Sequence, residues 1–275
     1  MKAELHCHST HSVGTKVVWE GLDSPAEMMR AARMKGIGAV AITDHNSIGS
    51  WKEAAAAAKR EGIIFIPGME ISSSKGHILG LGLNELVPRD LGIEETVELI
   101  HEQGGLAIAA HPYDIKGEGV RDEYREADAV EVFNALNVDW FANRFTENRL
   151  RRVDMPKVVG SDAHNVDMLG HAINIMDAHD ADSVLREIRR GRVQHEKSYI
   201  PIKMISAWAK KRLENSYGYT LEYIAENYWG PKAWLARRLL DKYVNSHRTA
   251  VWNALGVFSV NASRVYGGLK VLSYY

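Results

Sequence analysis

The sequence predicts an α/β barrel followed by a helical appendage, on the strength of three observations. Short apolar runs alternate with helical patterns up to about Pro201, the βαβα rhythm of a mostly parallel sheet or barrel. Metal-ligating residue types recur where those runs end. After Pro201 the alternation stops, and apolar residues fall only at helical spacing.

Strands are predicted over 3–7, 39–43, 63–67, 78–83, 106–110, 129–133, 157–160 and 172–176. Helices are predicted over 25–35, 50–61, 93–103, 138–153 and 181–190. The first helix has a clear start, with Ser24 as N-cap, Pro25 in the first position and Glu27 in reach of a capping box. Eight strands with interleaved helices suit a barrel over 1–201. Beyond it, Trp234, Leu235, Leu239, Tyr243 and Val244 follow a Gly230-Pro231 helix start at helical spacing, so 202–275 is expected to be a helical extension.

A chain of 275 residues with 25% charged and 45% hydrophobic side chains buries a full core and is unlike a disordered protein. Its single cysteine, Cys7, cannot form an internal disulfide, and the start of the sequence lacks an apolar signal segment. A cytoplasmic location is the expectation. The uncharged stretch 249–263 is too short to span a bilayer, so no integral membrane association is expected. The net charge of -1 conceals an asymmetry: residues 203–275 hold eleven Lys and Arg against four Asp and Glu. An acidic barrel is joined to a basic tail.

His6 and His8 alternate in a short strand, so both imidazoles face one side and can grip one cation. Two histidines at a strand end are weak evidence alone. Asp44 and His45, however, end the second predicted strand, Glu70 follows the third, His111 ends the fifth, and Asp162 and His164 follow the seventh. Strand C-terminal ends converge on one face of a β/α barrel, where catalytic residues gather. His77 precedes its strand, so that strand must run the other way or the residue must reach in from a loop.

The strings HCHS (6–9), TDHN (43–46), PGMEIS (67–72), GHILGLG (76–82), AHPY (110–113), EVFNA (131–135) and GSDAHN (160–165) resemble, in order, the motifs of the PHP family, the polymerase and histidinol phosphatase phosphoesterases. That resemblance implies a distorted barrel of seven α/β units, amending the eight-strand reading, with two or three divalent metal ions. It implies a first metal on His6, His8, Glu70 and Asp162, a second on Glu70, His77 and His111, and a third on His45 and His164. Mixed imidazole and carboxylate ligands favour Mn, Zn or Fe over Mg. Glu4 stands where many members have the first Asp of D-x-H-x-H, and Val13 stands where they have a later Asp. The third position therefore lacks an acid; His11 lies near enough to substitute, and Asp44 is a further candidate.

Cys7 is expected to point away from its histidine neighbours as a core residue. His101, His171, His179 and His195 match no motif. Lys16, Lys75, Arg149 and Arg152 read as solvated side chains, while Asn134 and Asn165 could orient a ligand or meet substrate. The tail holds four of seven Trp and eight of eleven Tyr, interleaved with Lys and Arg. Single-stranded nucleic acid binding uses such a mixture. The favoured reading is a helical hairpin with an apolar stripe, packed on the barrel or on a second subunit as a homo-oligomer contact. A peripheral membrane contact is a third option.

The expected chemistry is phosphoester hydrolysis by metal-activated hydroxide, with Asp162 essential and His164 or His45 protonating the leaving group. A nucleotide or other small phosphomonoester is the expected substrate, with a nuclease acting on single strands as the alternative. A metal-free binding module would lack ligands, whereas all eight candidate positions are intact.

Overall fold

The computed structural model describes every residue except 15–16, 138–139, 247–248 and 273–275. Among the described residues nine strands form one sheet: β1 (Lys2–Cys7), β2 (Ala39–Ile42), β3 (Ile64–Ser72), β4 (His77–Leu81), β5 (Leu106–Ala109), β6 (Ala129–Asn134), β7 (Lys157–Gly160), β8 (Ala172–Ile175) and β9 (Gln194–Lys197). Their order is β7-β6-β5-β4-β3-β2-β1-β8-β9. β4 is antiparallel to both β3 and β5, so its first residue, His77, joins the end of the barrel where the parallel strands finish. The reversed strand foreseen for His77 is what occurs.

The sheet curls until its two sides nearly close. Beyond β7 the chain pairs with β1, Asp162 N–H donating to His6 O at 2.9 Å and His8 N–H to Ala163 O at 2.8 Å. Lower down, buried Asn174 on β8 closes the seam with its side chain: its amide oxygen accepts from Val159 N–H at 3.0 Å and its NH2 donates to Val159 O at 2.7 Å.

One apolar cluster joins Ala3, Leu5, Ala39, Ala41, Ile66 and further strand residues to α5 (Ala181–Arg189). A second joins the opposite strand faces to α1 (Pro25–Met34), α2 (Trp51–Glu61), α3 (Ile93–Glu102) and α4 (Trp140–Leu150). Helix α1 starts on the expected capping box of Ser24 and Glu27. The fourth predicted helix begins within 138–139, outside the described residues.

Two strand bulges aim the site. In β1, Glu4 pairs with Val40 but Cys7 with Ile42, one residue more on β1 than on its partner. A bulge flips the side-chain alternation. Leu5 and His6 therefore both turn inward, while Cys7 joins the outer cluster, as expected. β6 carries a matching bulge between Glu131 and Phe133.

The prediction ended β3 too early. It runs to Ser72, so Glu70 lies within a strand rather than beyond one. β9 was not foreseen, because Gln194, His195, Glu196 and Lys197 are all exposed and leave no apolar alternation. After Pro201 the described residues form α6 (Ile202–Asn215), α7 (Tyr217–Asn227), α8 (Gly230–Val244) and α9 (Thr249–Leu272). α6 packs Met204, Ile205 and Trp208 on the outer core. α9 lies on α4, with the Arg264 guanidinium 3.9 Å from the Trp140 ring centre. The expected stripe on α8 is not buried within the chain: Trp234, Leu235 and Leu239 are half exposed or more, and Leu240 turns inward instead.

Candidate metal centre

The strand ends bring all eight expected ligands together. His6 lies in β1 and His8 just follows it, His45 follows β2, Glu70 lies in β3, His77 opens β4, His111 follows β5, and Asp162 and His164 follow β7. Four groups have ligand atoms within 4.8 Å of one another and could each hold an ion: His6, His8 and Glu70; His6, His111 and Asp162; His45, Glu70 and His77; His8, His45 and His164.

Glu70 is the hub. Its Oε1 lies 2.8 Å from His77 Nδ1 and 3.1 Å from His111 Nε2. Its Oε2 lies 3.3 Å from His6 Nε2, 3.2 Å from His8 Nε2 and 3.2 Å from His45 Nδ1. Asp162 Oδ1 is 3.1 Å from His8 Nε2. Despite this crowding, buried His8 Nε2, His77 Nδ1 and His111 Nδ1 have no aligned hydrogen-bond partner among the described residues. His8 Nε2 and His77 Nδ1, unpaired although they lie beside carboxylate oxygens, suit shared cations. The donor set therefore fits divalent metals.

The backbone is bent to make this meeting. His111 has φ 27°, Asp162 φ 52° and Asn46 φ 49°, left-handed conformations that side-chain-bearing residues rarely adopt. Such strain collects at functional sites.

Further buried groups hold the ligands. Glu131 Oε1 lies 2.9 Å from His6 Nδ1, and its Oε2 accepts from His111 N–H at 2.9 Å and from the Asn134 amide at 3.1 Å. Gly160 makes room for it, since a Cβ there would sit 1.8 Å from Glu131 Oε1. The Asn134 amide also donates to Asp162 Oδ2 at 3.2 Å. Ser12 Oγ lies 3.1 Å from His8 Nδ1 and accepts from His45 N–H at 3.2 Å. His164 Nδ1 is turned onto Asp162 O at 2.8 Å.

Two candidates point elsewhere. Asp44 accepts from Ser9 N–H at 2.7 Å and Ser9 Oγ–H at 2.8 Å, bracing the β1 turn. The His11 ring lies against Gly49. Neither side chain is turned to the cluster. Asn165 caps Met168 N–H rather than meeting the cluster, and His101, His171 and His195 pair with Asp128, Ser198 and Lys157 O. Lys75 and Arg149 pair with Glu123 and Asp122; Lys16 lies outside the described residues.

Charge at the cluster is divided. Burial works against ionisation of Glu70, but His45, His77 and His6 outweigh it and hold its carboxyl well below the usual range. Asp162 is held down likewise, against its burial, by His6, His8 and His164. Burial opposes a charge on His8 and His111, yet the carboxylates raise both to about 9. Burial instead pushes His45 down to about 3 and His164 well below the ordinary value. Glu4, beneath the cluster on Ser161 Oγ at 2.6 Å, is pushed up to about 7 by burial.

Glu131 and Glu20 are the residues missed from sequence. Glu131 had a signal, an acid alternating inside the apolar strand AVEVFN. Glu20 had none. The loop after β1 folds Val13 against Trp19, placing Glu20 Oε2 3.3 Å from His45 Nε2.

A nearly closed α/β barrel with a buried histidine and carboxylate cluster at its strand ends defines a metal-dependent hydrolase. The chain belongs to the PHP domain family, whose profile matches residues 4–190, and is thereby a metal-dependent phosphoesterase, a hydrolase of phosphoester bonds. It is 42% identical over 157 residues to an uncharacterized protein of Methanocaldococcus jannaschii, covering 54% of this chain and 91% of that one. It is 32% identical over 133 residues to a 5'-3' exoribonuclease of Haemophilus influenzae, covering 47% of this chain and 45% of that one. A 3',5'-nucleoside bisphosphate phosphatase of Chromobacterium violaceum is 39% identical over 89 residues, 31% of this chain and 29% of that one. In fold, it resembles a two-domain protein of Bacteroides vulgatus containing a predicted PHP-like metal-dependent phosphoesterase, with TM-score 0.59 and 17% identity over 71% of this chain and 64% of that one.

Proposed function

We propose that this enzyme hydrolyses a nucleotide or other small phosphomonoester at the cluster. The observation that carries this reading is the shape of the cavity above the ligands. It is a half-open cavity of about 220 Å³, with Glu70, His77, His111 and Asp162 in its wall and Arg89, Lys116 and Arg212 among its lining side chains. That space is below the range of drug-sized pockets and suits a small phosphorylated molecule or a terminal nucleotide.

In this reading His6, His8, Glu70 and Asp162 hold one divalent ion of the Mn, Zn or Fe kind, Glu70, His77 and His111 a second, and His45 with His164 a third. Such ions, when bound, offset charge on the phosphoryl oxygens and make water acidic enough to attack at neutral pH. The chain's own groups prepare that chemistry. Glu70 divides its two oxygens between the His77 and His111 side and the His6 and His8 side. Glu131 accepts a hydrogen bond from His6 Nδ1–H and leaves Nε2 turned to the cluster. Burial disfavours a charge on His45 and His164, which suits neutral imidazole ligands.

A second reading, cleavage at the end of a nucleic acid strand, is favoured by a groove on α8 lined by Tyr228, Trp229, Trp234, Arg237 and Arg238. Rings and guanidinium groups together suit a single strand. The test compares Mn-loaded turnover of p-nitrophenyl phosphate with bis(p-nitrophenyl) phosphate, and of a mononucleotide with a short single-stranded oligonucleotide. Faster monoester and mononucleotide turnover is expected. Faster diester and strand cleavage, slowed by Arg237→Ala with Arg238→Ala, would replace the first reading with the second.

A further inference from the structure

The loop after β1 carries no acid at Ser12, Val13 or Gly14, yet a carboxylate reaches the His45 side of the centre. The chain turns back on itself there. Gly14 N–H donates to Val18 O at 2.9 Å, and Glu20 N–H donates to Ser12 O at 3.2 Å. Glu20 is thus anchored on the serine that also touches His8 and His45. A Cβ on Gly14 would lie 2.7 Å from Glu20 Oε1, so only glycine leaves the carboxylate this place.

His45 sits between two carboxylates, with Nδ1 3.2 Å from Glu70 Oε2 and Nε2 3.3 Å from Glu20 Oε2. A neutral imidazole carries one N–H, so it can donate to only one of them. The other nitrogen then turns its lone pair towards an oxygen, a pairing that a shared cation relieves. Two donor atoms each about 2.1 Å from one ion lie roughly 3.0 to 3.4 Å apart at octahedral to tetrahedral angles, and the Glu20 contact falls in that span.

Helix α6 holds this carboxylate from the far side. Arg212 Nη2 donates to Glu20 Oε1 at 2.6 Å, leaving Oε2 for His45. Arg212 Nε donates to Trp19 O at 3.0 Å, and Trp208 Nε1 donates to Glu20 O at 2.8 Å while its ring lies 4.7 Å from that of His164.

We propose that Glu20 is the acidic ligand of the metal position served by His8, His45 and His164, and that Arg212 on α6 is the positioning residue that fixes it. The proposal rests on the metal-dependent phosphoesterase reading and adds to it a ligand from an unexpected position, tied to the C-terminal helices. It makes the tail part of the metal centre.

The test counts ions per chain by elemental analysis after Mn loading and follows Mn titration by calorimetry, on the full chain and on Glu20→Gln and Arg212→Met, with circular dichroism confirming the fold. The parent chain is expected to hold three ions. Glu20→Gln should lose one, or bind it at least about tenfold more weakly, and keep the other two at parental affinity. Arg212→Met should weaken the same ion by a smaller factor. If Glu20→Gln matches the parent in number and affinity, Glu20 is not a ligand; if Arg212→Met binds the third ion as tightly as the parent, α6 does not position it. A parent chain that binds no metal would overturn the phosphoesterase reading itself, a result separable from a parent and variant that both bind two. Should Glu20→Gln fail to fold, Glu20→Asp, which keeps the charge and withdraws the carboxylate, must still weaken that ion alone.

Discussion

Glu131 Oε1 lies 2.9 Å from His6 Nδ1 in a space that only Gly160 permits. The carboxylate fixes which imidazole nitrogen carries the proton and so which one faces the cluster. Glu131→Gln keeps the shape and removes the charge. It is expected to lower metal affinity or turnover by about 10- to 100-fold with the fold retained, read by Mn titration beside a thermal melt.

Asp162 Oδ1 and Glu70 Oε2 both lie against His8 Nε2, at 3.1 Å and 3.2 Å. Asp162→Ala or His8→Ala should leave the far-ultraviolet dichroism unchanged and reduce p-nitrophenyl phosphate turnover by at least about 100-fold, the scale for a disrupted metal centre. Full activity in either variant would remove the cluster from the reaction.

The centre is also a proton store when metal is absent. The carboxylates hold His8 and His111 at about 9 against their ordinary 6.5. Their contribution to the stability of metal-free protein is complete below about 6.5 and disappears as pH rises through about 9. Glu70 and Asp162 are depressed, so their contribution is present above the ordinary carboxylate range and is lost only in stronger acid. Metal-free protein should thus melt lower at pH 9.5 than at pH 6. Metal must displace the imidazole protons, so calorimetry in buffers of different ionisation enthalpy should show proton release and affinity rising from pH 6 to 9.

Asn174 and Val159 close the barrel seam with a side-chain amide in place of a strand ladder. Asn174→Ala leaves a buried N–H and C=O unpaired. At about 1–3 kcal/mol for each orphaned group the loss should be about 2–6 kcal/mol, measured by urea denaturation. Loss below 0.5 kcal/mol would show that the seam is held elsewhere.

Most of the strands, the first helix cap and the eight candidate ligand positions were legible in the sequence, because each rests on local chemistry: an apolar run with a metal-ligating residue type near its end, or Ser24 three residues before Glu27. β9 was not, since four exposed polar residues carry no periodic signal. The stripe on α8 is only partly covered within the chain, Tyr243 packing on Trp252 while Trp234, Leu235 and Leu239 stay half exposed or more. What the sequence by itself determined was the family and the candidate residues of the cluster. Only the tertiary structure decided how they meet: β4 runs backwards to deliver His77, the bulge in β1 turns His6 inward beside Leu5, and a returning loop sets Glu20 against His45. Register, strand direction and loop closure depend on partners far along the chain, and a side chain's face follows from them rather than from its neighbours in sequence.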